Sequence, residues 1–111
     1  MLPTGIGCRA PRPKALTLLV AFVFEWDPRK AARNFAKHGV TFLEAASAFD
    51  DPHSLTVSDP THSMAEERYL LLGMSGIGRL LVVAHTERAD EIRLISVRIA
   101  TRTERLAYEE R

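Results

Sequence analysis

The chain has 111 residues, of which 46% are apolar and 26% charged, and this length suits one domain with a single core. The composition excludes a disordered low-complexity chain and a collagen-like fibre. The single cysteine, Cys8, excludes an internal disulfide and therefore a secreted disulfide scaffold. The net charge of +1 provides no general attraction to a polyanion, so a nucleic-acid site would have to be a local feature.

Residues 1–22 differ in charge from the rest of the chain. They contain three bases and no acid, whereas residues 23–111 contain twelve bases and fourteen acids. Bases followed by the apolar run Ala15 to Phe24 are compatible with a signal peptide, but no small-residue cleavage site follows. The run is also shorter than the ~20 residues that span a bilayer. We therefore interpret residues 1–22 as a dispensable extension or an upstream start, and residues 23–111 as one cytoplasmic domain with no membrane partner.

The first predicted elements of this domain are a strand and a helix. Val20 to Trp26 is rich in β-forming residues, and Asp27-Pro28 then supplies an N-cap and a first-turn proline. The helix extends to about His38, because Gly39 provides a C-cap. One face of the helix carries Ala31, Ala32, Phe35 and Ala36, and the opposite face carries Arg29, Lys30, Arg33 and Lys37.

A second helix and a short strand follow. The spacing of Thr41-Phe42-Leu43-Glu44 predicts a capping box, in which Thr41 and Glu44 each bond to the other's backbone N–H. Asp50-Asp51-Pro52 ends this helix. Leu55 to Val57 predicts a short edge strand, and Ser58 to Met64 predicts a polar loop.

The second half of the chain predicts three strands and a helix. In order these are a strand Arg68–Met74, a hairpin loop Ser75–Gly78, a central strand Arg79–Thr86, a turn Glu87–Asp90, a strand Glu91–Ile99 and a helix from the Thr101–Glu104 capping box to about Glu110. Strict alternation on the last strand places Ile92, Leu94, Ser96 and Arg98 on one face, and Arg93, Ile95, Val97 and Ile99 on the other. The order β-α-α-β-β-β-β-α predicts an α+β fold, an antiparallel sheet with helices packed on one face.

The sequence contains no recognisable cofactor motif. The four histidines (His38, His53, His62 and His85) lack metal-ligand spacing, and neither a phosphate loop nor a serine nucleophile elbow is present. The remaining possibility is acid–base and electrostatic catalysis by lysine, arginine, histidine and glutamate side chains, without a cofactor.

Three groups of residues could perform such chemistry. They are the basic helix face with His38, the strand pair carrying Arg79, His85, Arg93 and Arg98, and the Glu66-Glu67-Arg68 segment that follows the His62 loop. Each group also has a purely structural interpretation: a solvated helix face in the first case, and surface salt bridges in the other two.

Two series of spaced residues carry a family resemblance. The first is Phe24-Glu25-Trp26-Asp27-Pro28-x-Lys30, Asn34-x-x-Lys37-His38-Gly39-Val40-x-Phe42-x-Glu44-Ala45 and Phe49-x-Asp51-Pro52. The second is Asp59-x-x-His62-x-x-x-Glu66-Glu67-Arg68, Gly78-Arg79, Thr86-x-Arg88, Arg93-x-Ile95-Ser96-x-Arg98 and Glu104-Arg105-x-x-Tyr108-Glu109. With this order and spacing, residues 23–110 resemble the BrnT family.

The resemblance implies a RelE-like fold and a toxin of a type II toxin–antitoxin system, a ribonuclease that blocks translation by cutting RNA. It also implies a small BrnA-like antitoxin of the ribbon-helix-helix class, through which the complex binds its operator DNA. RNA can be cleaved without a metal when a base activates the 2′-OH, an acid protonates the leaving oxygen and cations stabilise the phosphorane.

We expect the candidate residues to divide into two sets. The catalytic set is Lys30, His38, Glu67, Arg79 and Arg98, and the substrate-binding set is Lys37, Arg68 and His85. In this hypothesis Glu67 or His38 is the base or acid, and Arg79 and Arg98 stabilise charge in the transition state. The rival hypothesis is a non-enzymatic module that only binds a ribbon-helix-helix DNA-binding partner, which the near-neutral domain also allows.

Overall fold

The computed structural model describes residues 23–62 and 66–110, so the interpretation of residues 1–22 and the predicted strand start at Val20 lie outside the described residues. The strands are β1 (Val23–Glu25), β2 (Leu55–Ser58), β3 (Arg68–Met74), β4 (Leu80–Arg88) and β5 (Glu91–Ile99). The helices are α1 (Pro28–His38), α2 (Phe42–Ser47) and α3 (Arg102–Glu109), with short 3₁₀ turns at Ala48–Asp50 and Pro60–His62. The predicted α+β class is confirmed.

The five strands form one mixed sheet in the order β1-β5-β4-β3-β2. Strands β2 to β5 pair antiparallel, whereas β1 pairs parallel with β5. The prediction of a purely antiparallel sheet is therefore wrong. Hairpin connections force neighbouring strands to be antiparallel. Two helices and three strands separate β1 from its partner β5 along the chain, so no local signal fixes the direction of β1.

The main core lies between the sheet and the first two helices. Its buried residues are Phe24, Val40, Phe42, Ala45, Ala46, Ala48, Leu71, Leu81, Val83, Ile92, Leu94 and Val97. Strand β4 is the middle strand and is buried through most of its length, as its nearly unbroken apolar run predicts. Strand β4 continues through Arg88, so the turn consists only of Ala89 and Asp90 and is shorter than the predicted turn Glu87–Asp90. Ala89 has a φ of 53°.

The buried side of α1 shares only Ala31 with its apolar stripe. Phe35 is 53% exposed, and Ala32 and Ala36 are exposed beside it. Asn34 is instead 8% exposed, and Ala31 and His38 on the same side are half-buried. The helix is thus rotated about its axis relative to the orientation that its hydrophobic periodicity indicates.

The alternation predicted for β5 is wrong beyond Leu94. Ala84 pairs with Ser96 and His85 pairs with Leu94, so an irregularity at Ile95 shifts the register. The extra residue places Val97 on the same side as Leu94, in the core, and moves Ser96 and Arg98 to the opposite face. A strict period of two cannot anticipate an inserted residue.

Helix α3 lies at one end of the sheet rather than beside α1 and α2. Its Tyr108 hydroxyl donates to Asp51 Oδ2 at 2.5 Å, and the Met74 amide at the end of β3 donates to the same oxygen at 2.8 Å. Its Glu104 binds Arg98, which shares a face with Val82 and not with the main core. The prediction that all helices pack on one face therefore holds only for the first two.

Candidate functional site: a basic groove beside β5

A groove of about 360 Å³ separates α1 from β5. Its lining residues are Lys30, Arg33, Asn34, Lys37 and His38 from the helix, and Ile95 and Ser96 from the strand. Helical periodicity explains the first wall, because positions 30, 33, 34, 37 and 38 are three or four residues apart and share one side. The register shift at Ile95 shapes the second wall.

The three permanent cations of this groove, Lys30, Arg33 and Lys37, form no ion pair with a carboxylate of the described residues. Among residues 23–62 and 66–110, the ion pairs involve Arg79, Arg88, Arg93, Arg98, Arg105 and His85, and none involves Lys30, Arg33 or Lys37. Lys37 and His38 also lie in the last turn of α1, where the helix dipole favours positive charge. Asp27 interacts electrostatically with Lys30 without forming an ion pair, so the groove as a whole presents an excess of positive charge, which suits a phosphate-bearing ligand.

Asn34 forms the floor of the groove and joins its two walls. Its Oδ1 accepts from the Val97 amide at 3.0 Å, and its Nδ2 donates to the carbonyls of Val97 at 2.9 Å and Val40 at 3.3 Å. The side chain thus satisfies backbone groups of β5 that would each cost about 1–3 kcal/mol if they were buried without a partner. Asn34, Ile95 and Ser96 line the groove without having been predicted as site residues, and Arg33 was predicted only as part of the basic helix face. The one available signal for Asn34 was its place as a poor helix former in the middle of α1.

Arg79 borders the groove but is neutralised by Glu44. Its Nε donates to Glu44 Oε2 at 2.9 Å, its Nη2 binds Glu44 Oε1, and the Ser75 hydroxyl donates to the same carboxylate at 2.7 Å. Nη2 also donates to the Gly39 carbonyl at 3.3 Å, directly after His38. The predicted capping box at Thr41 is therefore only half formed: Thr41 accepts from the Glu44 amide, but the Glu44 carboxylate turns towards Arg79.

Arg98 is held in the same way by Glu104. Its Nη1 and Nη2 donate to the two carboxylate oxygens, each at 2.8 Å. Glu104 also accepts from the Thr101 amide, which completes the capping box predicted at the start of α3. Arg98 lies two positions beyond Ser96 on the same face of β5, but it is not among the residues that line the groove, and its charge is compensated by Glu104.

The remaining predicted site residues lie elsewhere. Glu67 accepts from the Ser58 hydroxyl at 3.1 Å at the β2–β3 edge, with β4 between it and β5. Arg68 begins β3 and pairs in register with Thr86. His85 is fully buried, its ring 4.9 Å from Phe49 and 5.8 Å from Tyr69, and its Nε2 is 3.1 Å from Glu87. The structure therefore brings Lys30, Lys37 and His38 together in the groove. Arg79 and Arg98 lie outside its lining, the first bonded to Gly39 next to His38 and the second two positions beyond Ser96. Glu67, Arg68 and His85 are separated from the groove.

The two carboxylates at the border imply a loss of stability in acid. Hydrogen bonds from Arg98 lower the pKa of Glu104 from 4.5 to about 2, and those from Arg79 lower the pKa of Glu44. Because both values are depressed in the folded state, the stabilisation is present above the unfolded value of 4.5 and is lost as the pH falls towards 2. We expect the melting temperature to fall across that interval, and Glu104→Gln to flatten part of the decline. A melting temperature that stays constant as the pH falls from 4.5 to about 2 would show that these two ion pairs do not couple stability to pH.

Residues 23–62 and 66–110 contain neither a metal-binding cluster nor a membrane-spanning helix. No group of three or more histidine, cysteine, aspartate or glutamate side chains is arranged to hold a metal ion. No helix in this part of the chain combines the length and the apolar character needed to cross a bilayer.

Comparisons with known proteins identify the family. A family model described as a ribonuclease toxin, BrnT, of type II toxin–antitoxin systems matches residues 26–104. A crystal structure of the Brucella abortus ribonuclease toxin BrnT superposes with a TM-score of 0.51 at 22% identity, covering 69% of this chain and 94% of that one, which supports a shared fold. A search of curated proteins finds no match. Because the family model spans most of the chain, the protein belongs to the BrnT family of type II toxin–antitoxin ribonuclease toxins.

Proposed function

We propose that this protein is a metal-independent endoribonuclease that stops translation and acts in the groove between α1 and β5. The observation that carries the proposal is the set of three cations that form no ion pair with a carboxylate of the described residues, Lys30, Arg33 and Lys37, beside His38. A chain with near-balanced charge gains a phosphate-binding surface only where bases gather without acids, and this groove is such a place.

The proposed reaction is transesterification at one RNA phosphate. The 2′-oxygen forms a bond to phosphorus and loses its proton to a base, and the bond to the 5′-oxygen breaks as that oxygen gains a proton from an acid. The products are a 2′,3′-cyclic phosphate and a free 5′-hydroxyl. No oxidant, reductant or second substrate is required.

His38 is the residue in the groove best suited to proton transfer. It is half-buried, at the end of the wall that carries the lysines. Lys30 and Lys37 would hold the non-bridging oxygens, and Arg33 would bind a neighbouring phosphate. Arg79 and Arg98 would stabilise transition-state charge from the border, sharing their guanidinium groups with Glu44 and Glu104. Glu67 would contribute only through a rearrangement that brings it past β4, so it is the weakest member of the catalytic set.

The decisive experiment is incubation of the purified full-length protein with RNA in the presence of EDTA, followed by end-group analysis. Cyclic phosphate and 5′-hydroxyl ends would establish the proposed reaction. A requirement for an added divalent ion would refute metal independence, and no cleavage of any RNA would favour the rival binding module. Expression of the full chain in cells provides a second test, because a ribonuclease arrests growth and a binding module does not.

The electrostatic part of the proposal predicts a specific salt dependence. Each of Lys30→Ala, Arg33→Ala and Lys37→Ala is expected to weaken the binding of single-stranded RNA and to reduce the slope of log affinity against log salt by about 0.7. Arg105→Ala on α3 is the matched control, because Arg105 is an exposed base paired with Glu109 outside the groove. Equal slopes for all four variants would show that the RNA does not contact this surface.

For the partner, we propose a BrnA-like antitoxin of the ribbon-helix-helix class that binds the toxin and carries the complex to its operator DNA. The excess positive charge of the groove would attract an acidic segment of such an antitoxin as readily as it attracts RNA. Co-purification of the toxin with the product of an adjacent small gene, and loss of RNA cleavage in that complex, would test this assignment.

A further inference from the structure

Strand β1 covers only part of the outer edge of β5. It pairs with residues Glu91 to Arg93, and the second half of β5 extends beyond it towards the groove. An uncovered edge exposes backbone N–H and C=O groups that need partners. Past the end of β1, the partner that the structure provides at Val97 is the side chain of Asn34.

The Asn34 amide acts there as a substitute for one residue of a strand. It accepts from the Val97 N–H and donates to the Val97 carbonyl, as a paired strand residue would do, and its second N–H binds the Val40 carbonyl. Both N–H groups of the amide are therefore in use, so the side chain has none to offer a substrate. One amide thus fixes the middle of α1, the loop that follows it and the outer edge of β5.

We infer that Asn34 is a positioning residue of the RNA site. By tying α1 to Val97 and Val40, it sets the distance between the helix wall, which carries Lys37 and His38, and the strand wall at Ser96. The inference rests on the proposed function of the groove and adds to it the device that fixes its geometry.

The three hydrogen bonds of Asn34 are important because of the way α1 is oriented. Phe35 faces solvent at 53% exposure, so the largest apolar side chain of the helix does not anchor it to the core. Among the residues of α1, which all lie in the described part of the chain, only Asn34 is buried. Hydrogen bonds have stricter geometry than apolar contacts, and a helix anchored in this way has a defined position along and around its axis.

The test compares Asn34→Leu, which is neutral and similar in size but cannot make the three hydrogen bonds, with Phe35→Ala as a control on the exposed side of the same helix. Four quantities are measured on folded protein. They are the single-turnover cleavage rate, the affinity for a 2′-O-methyl RNA oligonucleotide and, by NMR, the exchange rates and chemical shifts of the backbone amides. For Asn34→Leu we expect the rate to fall by about 10- to 100-fold, since small misplacements of reacting groups are costly. Affinity for the oligonucleotide is expected to change by less than about threefold, because the three cations remain.

The NMR measurement separates positioning from simple stabilisation. We expect faster exchange of the Val97 amide and shifted amide resonances for Lys37 and His38 in Asn34→Leu, and neither change in Phe35→Ala. An unchanged cleavage rate with faster Val97 exchange would reduce Asn34 to a structural residue and overturn the inference. If Asn34→Leu does not fold, Asn34→Gln, which is also neutral but displaces the amide by one carbon, replaces it in the same measurements.

The failure of the proposed function would be recognised separately. If the unmodified protein cleaves no RNA, the proposed function falls, and the inference is then decided by the amide resonances alone. Unchanged Lys37 and His38 resonances in Asn34→Leu would overturn it in that case.

Discussion

Replacing His38 with glutamine is expected to lower the single-turnover rate of RNA cleavage by about 100- to 10,000-fold, the usual contribution of one general acid or base. Glutamine retains a similar size and can form hydrogen bonds, but it cannot exchange a proton at neutral pH. His38 lines the groove beside Lys37 and is only half-buried, so the substitution removes the proton carrier without opening the core. The measurement is cleavage of a short RNA under enzyme excess.

His53→Gln is the matched control for that variant. His53 is exposed in the loop before β2, outside the groove, and the same chemical change there should leave the rate unaltered. Both variants should melt within a few degrees of the unmodified protein. A His38→Gln variant that cleaves RNA at the original rate would remove His38 from the mechanism and leave the lysines as the only groove residues able to move a proton.

Arg98→Ala is expected to produce the second largest effect, a loss of about 2.7–4 kcal/mol of transition-state stabilisation, or 100- to 1,000-fold in rate. Arg98 lies on the Ser96 face of β5, two positions beyond a residue that lines the groove, and Glu104 already fixes the orientation of its guanidinium. A cation that is held in place before the reaction stabilises developing phosphorane charge without first being reorganised. Arg98→Lys should recover part of the rate, because it keeps the charge but loses the planar donor fork.

Glu104→Gln separates the catalytic role of Arg98 from its structural role. Glutamine still completes the capping box with Thr101, so α3 should remain folded, but the countercharge on Arg98 is gone. Because the glutamine amide oxygen can still accept from the Arg98 guanidinium, we expect this variant to lose much less of the cleavage rate than Arg98→Ala, while losing some acid-dependent stability. Equal rate losses in Arg98→Ala and Glu104→Gln would mean that the pair only fastens α3 to the sheet.

The elements specified by short-range signals were predicted well from the sequence. The bounds of β3 and β5, the caps of α1 and the capping box of α3 are confirmed, because each depends on residues within a few positions. The direction of β1, the shift at Ile95 and the rotation of α1 were not predicted. Each of these depends on contacts between distant segments, such as the bonds from Asn34 to Val97, and no local pattern reports them.

The candidate site shows the same division. Lys30, Lys37 and His38 share one side of a single helix, so their spacing alone indicated that they could act together. Arg79 and Arg98 were chosen from two strands, and the sequence could not reveal that Glu44 and Glu104 would neutralise them. Glu67 and His85 required the tertiary structure to show that one lies beyond β4 and the other inside the core.

The two walls of the groove come from distant parts of the chain, and the bonds that join them connect residues 63 positions apart. Chains are synthesised from the N-terminus, and early segments can fold before later ones exist. A nascent chain that has emerged only as far as β4 therefore has α1 but neither Val97 to hold it nor Ser96 to face it. The groove is assembled only after β5 has been synthesised, so a nascent chain that lacks this strand carries the basic helix wall without the strand wall that faces it.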